Sequence, residues 1–155
     1  MKSIYFLGGL PRSGNTLLSA ILNQNPNVYC SPISPLLDHI KNLDEDLKLN
    51  EKNQIFNWEE TVVRNIQSYA QLFYEHRKEP IIIDRHKGWG SANSISNAAK
   101  YITNKPRILF TVRDIPSILA SYLVLLGKGT DTFLDNHINA MGIYKYGNQT
   151  HDDLR

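Results

Sequence analysis

The stretch Gly8-Gly9-Leu10-Pro11-Arg12-Ser13-Gly14-Asn15-Thr16 constrains this chain more than any other. It follows an apolar run, Ile4-Tyr5-Phe6-Leu7, and precedes Leu17, Leu18, Ile21 and Leu22 at helical spacing. Strand, tight glycine turn and helix in immediate succession aim consecutive backbone N–H groups at one spot. The unpaired N–H groups and positive dipole end of the helix face the same spot. An anion site for phosphate or sulfate is expected there. Gly9 and Gly14 have the G-x4-G spacing of a nucleotide P-loop, but Asn15 stands where a nucleoside triphosphatase needs lysine. The cation comes earlier, at Arg12.

The rest of the chain repeats the alternation of strand and helix. The first helix is expected from Asn15 to Gln24, stopping at Asn25-Pro26, with a weak extended piece at Val28-Tyr29-Cys30. A turn-rich connector, Ser31-Pro32-Ile33-Ser34-Pro35, leads to a helix carrying Leu36, Leu37, Ile40 and Leu43. Residues 44–57 are polar and read as an exposed loop. Asn57 and Glu60 read as a capping box ahead of a helix ending near Lys78. Ile81-Ile82-Ile83 and Arg107–Val112 read as buried parallel strands, separated by a helix using Ile95, Ala98, Ala99 and Ile102. Asp114 can cap a helix with Ile115, Ile118, Leu119, Tyr122, Leu123 and Leu126. A break at Gly127–Gly129 and a last helix from Asp131 follow. The order β-α-(α)-α-β-α-β-α-α predicts an α/β fold: a P-loop-type three-layer α/β/α domain with a short parallel sheet. Ligands of such sheets sit at the carboxyl ends of the strands. That rule gathers Gly8–Thr16, Asp84–Trp89 and Arg113.

Pro11-Arg12-Ser13-Gly14-Asn15-Thr16 resembles the 5′-phosphosulfate loop of sulfotransferases that use 3′-phosphoadenosine 5′-phosphosulfate (PAPS). Those enzymes have Pro-Lys/Arg-Ser-Gly-Thr-Thr after their first strand, so Asn15 is a departure at a position served largely by backbone. Arg113 at a strand end and Ser121 eight residues on resemble the family's 3′-phosphate motif. A guanidinium offers two parallel charge-assisted bonds to a phosphate, and a hydroxyl adds a third. Tyrosylprotein sulfotransferases add an arginine four residues after the serine, where this chain has Leu125. The resemblance, to bacterial and phage-type members, runs from about residue 3 to about residue 125. It includes Asn25-Pro26, Ser31-Pro32-x-Ser34-Pro35 and Asp84-x-x-x-Gly88-Trp89. Complete members continue into a glycine-rich, basic segment over the adenosine, which is not found here. The chain therefore reads as a single domain over residues 1–155, an amino-terminal part or a minimal relative.

The resemblance implies sulfuryl transfer from PAPS to a hydroxyl or amine acceptor by in-line displacement, without a metal. Cofactor-binding residues would be Arg12, Ser13, Gly14, Asn15, Thr16, Arg113 and Ser121. Arg12 would also stabilise charge on the bridging oxygen. His86, beside the site at a strand end, is the candidate base. Arg85 occupies the lysine place of the relatives' Asp-Lys, with Lys87 close by, and one of the two would face the sulfate. Asp84 is read as a hydrogen-bonding anchor. Trp89 either walls the acceptor pocket or packs, with packing favoured. Small molecules, sugars or peptides would be acceptors, chosen by loops such as Ser31–Leu43. A P-loop kinase or ATPase, with Asp84 holding magnesium, is one alternative; a non-catalytic adenosine 3′,5′-bisphosphate module is another. Net charge is +2 across 155 residues, too small to argue for nucleic acid. No stretch approaches the roughly 20 apolar residues of a membrane span. A single cysteine, Cys30, fits a reducing compartment and a small buried filler. A cytoplasmic protein is expected; oligomeric state is not written in the sequence.

Overall fold

The structure, a computed structural model, describes residues 2–126. The expected break at Gly127 and the helix from Asp131 lie outside the described residues. The backbone divides into two compact units, residues 1–113 and 114–155.

The first unit carries strands β1 (Ser3–Gly9), β2 (Val28–Cys30), β3 (Ile81–Arg85) and β4 (Ile108–Thr111). They form one parallel sheet in the order β2-β3-β1-β4. Its helices are α1 (Asn15–Leu22), α2 (Leu36–Leu49), α3 (Glu51–Ile55), α4 (Glu59–Leu72) and α5 (Ala92–Tyr101), with a 3-10 turn at Lys87–Gly90. Alternation along the strands sends side chains to opposite faces. Leu7, Ile83 and Cys30 pack on one face with Leu18 and Leu22 of α1. Phe6 and Ile82 pack on the other, against Leu36, Leu37, Ile40, Ile66 and Ala98 of α2, α4 and α5. The three-layer α/β fold expected from the alternation is the one found. The short strand β2 is fixed by an amide clamp: Asn23 Nδ2 donates to Cys30 O at 2.9 Å, and Cys30 N–H donates to Asn23 Oδ1 at 2.7 Å. Cys30 is fully buried, and burial pushes its thiol pKa up.

Several boundaries differ from the sequence reading. Helix α1 stops at Leu22, where Asn23 turns to clamp Cys30. Residues 44–57 are not a loop: α2 runs on to Leu49 and α3 follows. The ridge of Leu36 and Ile40 continues through Asp44 and Leu47, both buried. Asp44 sits there because Tyr101 Oη donates to it at 2.6 Å, with Lys48 and Lys100 ammonium groups at 2.5 and 3.2 Å. Asn57 does not cap α4. It adopts a left-handed φ of 56° just past α3, a position that asparagine tolerates at a helix end. Trp58 is the cap residue of α4, without a side-chain bond. Helix α4 ends at Leu72, short of Lys78, and Lys2 Nζ donates to the Tyr74 and Glu75 carbonyls beyond it at 2.6 and 2.9 Å. Helix α5 buries Ser94, Asn97, Ala98 and Tyr101, leaving Ile95 exposed.

The second unit is described only by its first helix, α6 (Ile115–Leu126). Asp114 Oδ1 accepts the Ser117 N–H at 2.8 Å, the expected cap. Among the described residues no helix is long and apolar enough to cross a membrane.

Burial alone would raise the Asp44 pKa, but hydrogen bonds from Lys48, Tyr101 and Lys100 overcome it and hold the carboxyl below its ordinary value. A depressed folded-state pKa gives stability that is present above the unfolded value of about 3.9 and is lost as pH falls through the folded one. Asp44→Ala, which also leaves Tyr101 Oη without this acceptor, should cost about 3 kcal/mol in urea unfolding at pH 7. Asp44→Asn should flatten the loss of stability below about pH 4. An Asp44→Ala variant as stable as the parent would contradict the burial argument.

Candidate functional site

The connection after β1 passes to the α1 face, and that after β3 passes to the face of α2, α4 and α5. Adjacent parallel strands with diverging connections leave a crevice beyond their carboxyl ends. A cavity of about 320 Å³ occupies this crevice, lined by Gly9, Pro11 and Asn15 after β1, Arg85, His86 and Lys87 after β3, and Ile33. A larger one of about 550 Å³ lies at the opposite, amino-terminal edge, among Lys2, Tyr5, Gln71, Lys105 and Arg107. The motif residues are absent from that lining.

The turn Gly8–Thr16 is built on three positive φ angles: 139° at Gly9, 66° at Arg12 and 101° at Gly14. Left-handed residues set between ordinary ones are the backbone pattern from which anion-binding nests are built. The first bond to close across α1 is Leu18 N–H to Gly14 O at 3.0 Å. The N–H groups of Asn15, Thr16 and Leu17 precede it, at the positive end of the helix. Ser13 and Asn15 face backwards. Ser13 Oγ lies 2.6 Å from Thr111 Oγ1, which donates to Asn15 Oδ1 at 2.7 Å. Asn15 Nδ2 donates to the Gly9 and Leu10 carbonyls at 3.3 and 3.2 Å. These side chains tie the turn to the end of β4, and the Ser13 N–H closes it on Leu10 O at 3.2 Å.

Two further guanidinium groups reach the turn. Arg85 donates from Nη2 to Thr16 Oγ1 at 3.1 Å and from Nη1 to Ser19 Oγ at 3.3 Å. Arg113 donates from Nη1 to Arg12 O at 3.1 Å. Arg85 at the end of β3 and Arg113 after β4 thus both reach the turn that carries Arg12. Ser121, the expected partner of Arg113, lies on α6 in the second unit.

The family model for the sulfotransferase family matches residues 5–155. The chain belongs to the sulfotransferase family. It is also 43% identical over 47 residues to protein-tyrosine sulfotransferase A of Caenorhabditis elegans. That match spans 30% of this chain and only 12% of the relative's length.

Within this sulfotransferase-family chain Asp84 and Trp89 are structural. Asp84 is wholly buried and accepts from Trp89 Nε1 and Tyr74 Oη, each at 2.6 Å. Burial pushes its carboxyl pKa up, and bonds from Ser34, Tyr74 and Trp89 oppose that. Trp89 packs on Phe6, ring centroids 4.2 Å apart. His86 lines the cavity with both ring nitrogens engaged: Nδ1 accepts the Gly88 N–H at 3.0 Å, and Nε2 is 3.3 Å from Asp38 Oδ2. The sequence reading missed Thr111, Ser19, Tyr74 and Asp38. Ser19 and Tyr74 extend helical patterns, and Thr111 closes a strand, so each had a faint signal. Asp38 had none, being far from His86 in sequence.

A Cβ at Gly9 would stand 2.3 Å from Thr111 Oγ1 and 2.8 Å from Thr111 O, at a φ that L-residues avoid. At Gly14 nothing lies within 4 Å. Gly9→Ala should therefore cost about 2–4 kcal/mol and Gly14→Ala about 1–2, by urea unfolding. Equal costs would show that the turn does not press on β4 as described.

Proposed function

We propose that the chain binds PAPS at the turn Arg12–Thr16 and transfers its sulfuryl group to a hydroxyl acceptor held in the 320 Å³ cavity. The observation that supports this most is the meeting of Arg85 and Arg113 on the turn that carries Arg12. A donor with phosphates at both its 5′ and 3′ positions needs a cation beyond the 5′ loop, and Arg113, two residues past the end of β4, is one. Backbone N–H groups of Gly14, Asn15 and Thr16, with that of Arg12, hold the 5′-phosphate and sulfuryl oxygens; the Ser13 N–H closes the turn on Leu10 O at 3.2 Å. Arg113 takes the 3′-phosphate.

Sulfuryl transfer resembles phosphoryl transfer, so catalysis rests on positioning and charge. Arg12 stabilises the bridging oxygen as its bond to sulfur breaks. Arg85, held by Thr16 and Ser19, faces the sulfuryl group, and Lys87 adds charge at the cavity wall. The acceptor's proton leaves at the His86 end of the cavity. Family membership and the partial match to a protein-tyrosine sulfotransferase support a hydroxyl acceptor, with a peptide tyrosine the first to try. Asn15 speaks against a kinase, because its side chain is bound to Thr111 and the loop and supplies no cation.

Calorimetry tests the donor. Adenosine 3′,5′-bisphosphate should bind in the presence of EDTA, and Arg12→Ala and Arg113→Ala should each weaken it about 10- to 100-fold. Arg113→Lys, which keeps the charge, should fall between. Magnesium-dependent ATP binding in place of this would favour a kinase. Bisphosphate binding without sulfate transfer from labelled PAPS to any of a peptide, sugar and alcohol panel would mark a binding module.

A further inference from the structure

Both ring nitrogens of His86 are occupied as the ring is held. Nδ1 already accepts the Gly88 N–H, so the neutral ring carries its proton on Nε2. Nε2 is the atom 3.3 Å from Asp38 Oδ2. Moving the proton to Nδ1 would leave the Gly88 N–H facing a second donor. Turning the ring is hindered as well. The His86 side chain is only 12% exposed, and Leu37 packs over the same 3-10 turn, its Cδ2 and His86 Nδ1 each 3.1 Å from where a Cβ on Gly88 would stand.

Asp38 is placed differently. It is in the first turn of α2, and its side chain is 58% exposed. A carboxylate that receives the Nε2 proton on Oδ2 keeps lone pairs on Oδ1. The connector before α2 is tied to the end of β3: Ser34 N–H donates to Arg85 O at 3.0 Å, and Arg85 N–H donates to Ser31 Oγ at 2.8 Å. Ile33 of that connector lines the cavity. The first turn of α2 is therefore anchored beside the cavity: Asp38, itself outside the lining, touches His86, which is part of it.

We propose that Asp38 takes the acceptor's proton and that His86 is the positioning residue that holds it, an inference that rests on the sulfotransferase reading above. The acceptor O–H bond breaks and its proton goes to Asp38 Oδ1. The oxygen's electron pair forms the new bond to sulfur. The bond from sulfur to the bridging oxygen breaks, and its electrons leave on the 5′-phosphate of adenosine 3′,5′-bisphosphate. Water later takes the proton from Asp38.

Two measurements on the full chain test this. Long-range 15N–1H spectra of histidine-labelled protein should show His86 protonated at Nε2 and bare at Nδ1. The reverse tautomer would free Nε2 as a base and overturn the assignment. Asp38→Asn should keep bisphosphate affinity within about twofold and slow sulfate transfer about 100-fold or more, with Asp38→Glu recovering part of the loss. The loss should shrink below about tenfold for 4-nitrophenol, which is largely ionised at pH 8, relative to phenol. An Asp38→Asn rate within about threefold of the parent, or a loss blind to acceptor acidity, contradicts a proton-accepting role. If the parent chain binds no bisphosphate, the sulfotransferase reading fails, whereas the His86 tautomer still reports on the pair.

Discussion

The turn after β1 keeps its shape because three small polar side chains satisfy one another behind it. Thr111 Oγ1, Asn15 Oδ1 and Ser13 Oγ form a closed set at 2.6–2.7 Å from the threonine oxygen, and the Asn15 amide returns to the Gly9 and Leu10 carbonyls. Everything at the candidate site depends on this contact. With those carbonyls occupied from behind, and the Ser13 N–H closed on Leu10 O at 3.2 Å, the α1 start is left with the Asn15, Thr16 and Leu17 N–H groups that no turn of helix precedes. Left-handed backbone at Arg12 would be costly without such support, since a non-glycine residue pays for positive φ. The close approach of Gly9 to Thr111 places the turn against β4, which ends at Arg113's doorstep. Sheet order and the shape of this turn are in this sense one structure.

Two buried carboxylates do comparable work deeper in the first unit, by opposite electrostatics. Asp84 has neutral donors, Ser34, Tyr74 and Trp89, and burial dominates, so its pKa rises. Asp44 has two ammonium groups as well as Tyr101, and its pKa falls. The first fixes the segment following β3, so that Arg85, His86 and Lys87 leave the sheet at a set angle. The second joins α2 to α5 and steadies the helix whose first turn bears Asp38. Neither faces the cavity lining, yet both govern where its side chains stand.

Local patterns carried the fold well. The apolar runs at Ile4–Leu7 and Ile81–Ile83 are strands because they are continuous, short and bounded by turn residues. The turn at Gly8–Thr16 was legible because glycine spacing and flanking periodicity agree. What failed was reading charge as exposure. Asp44 looks like a solvated residue in sequence and is core in space, because its partners Lys100 and Tyr101 lie in a distant helix. Asn57 followed by Glu60 fits a capping box, but the end of α3 claimed Asn57 first. The site was legible where one loop builds it and illegible where two distant segments meet, as with Arg85 on Ser19 or Asp38 on His86. The role of the second ring nitrogen of His86 follows from the Gly88 N–H donating to the first, a contact that residue spacing does not announce.

The central claim is that one turn holds the donor's 5′ end and a neighbouring arginine its 3′ end. Site-resolved titration of 15N-labelled chain with adenosine 3′,5′-bisphosphate in EDTA tests it most directly. The account predicts the largest shifts at the Gly14, Asn15 and Thr16 amides, together with the Arg113 side-chain N–H groups. Shifts gathered instead at Lys2, Lys105 and Arg107, around the cavity on the opposite edge of the sheet, would contradict it.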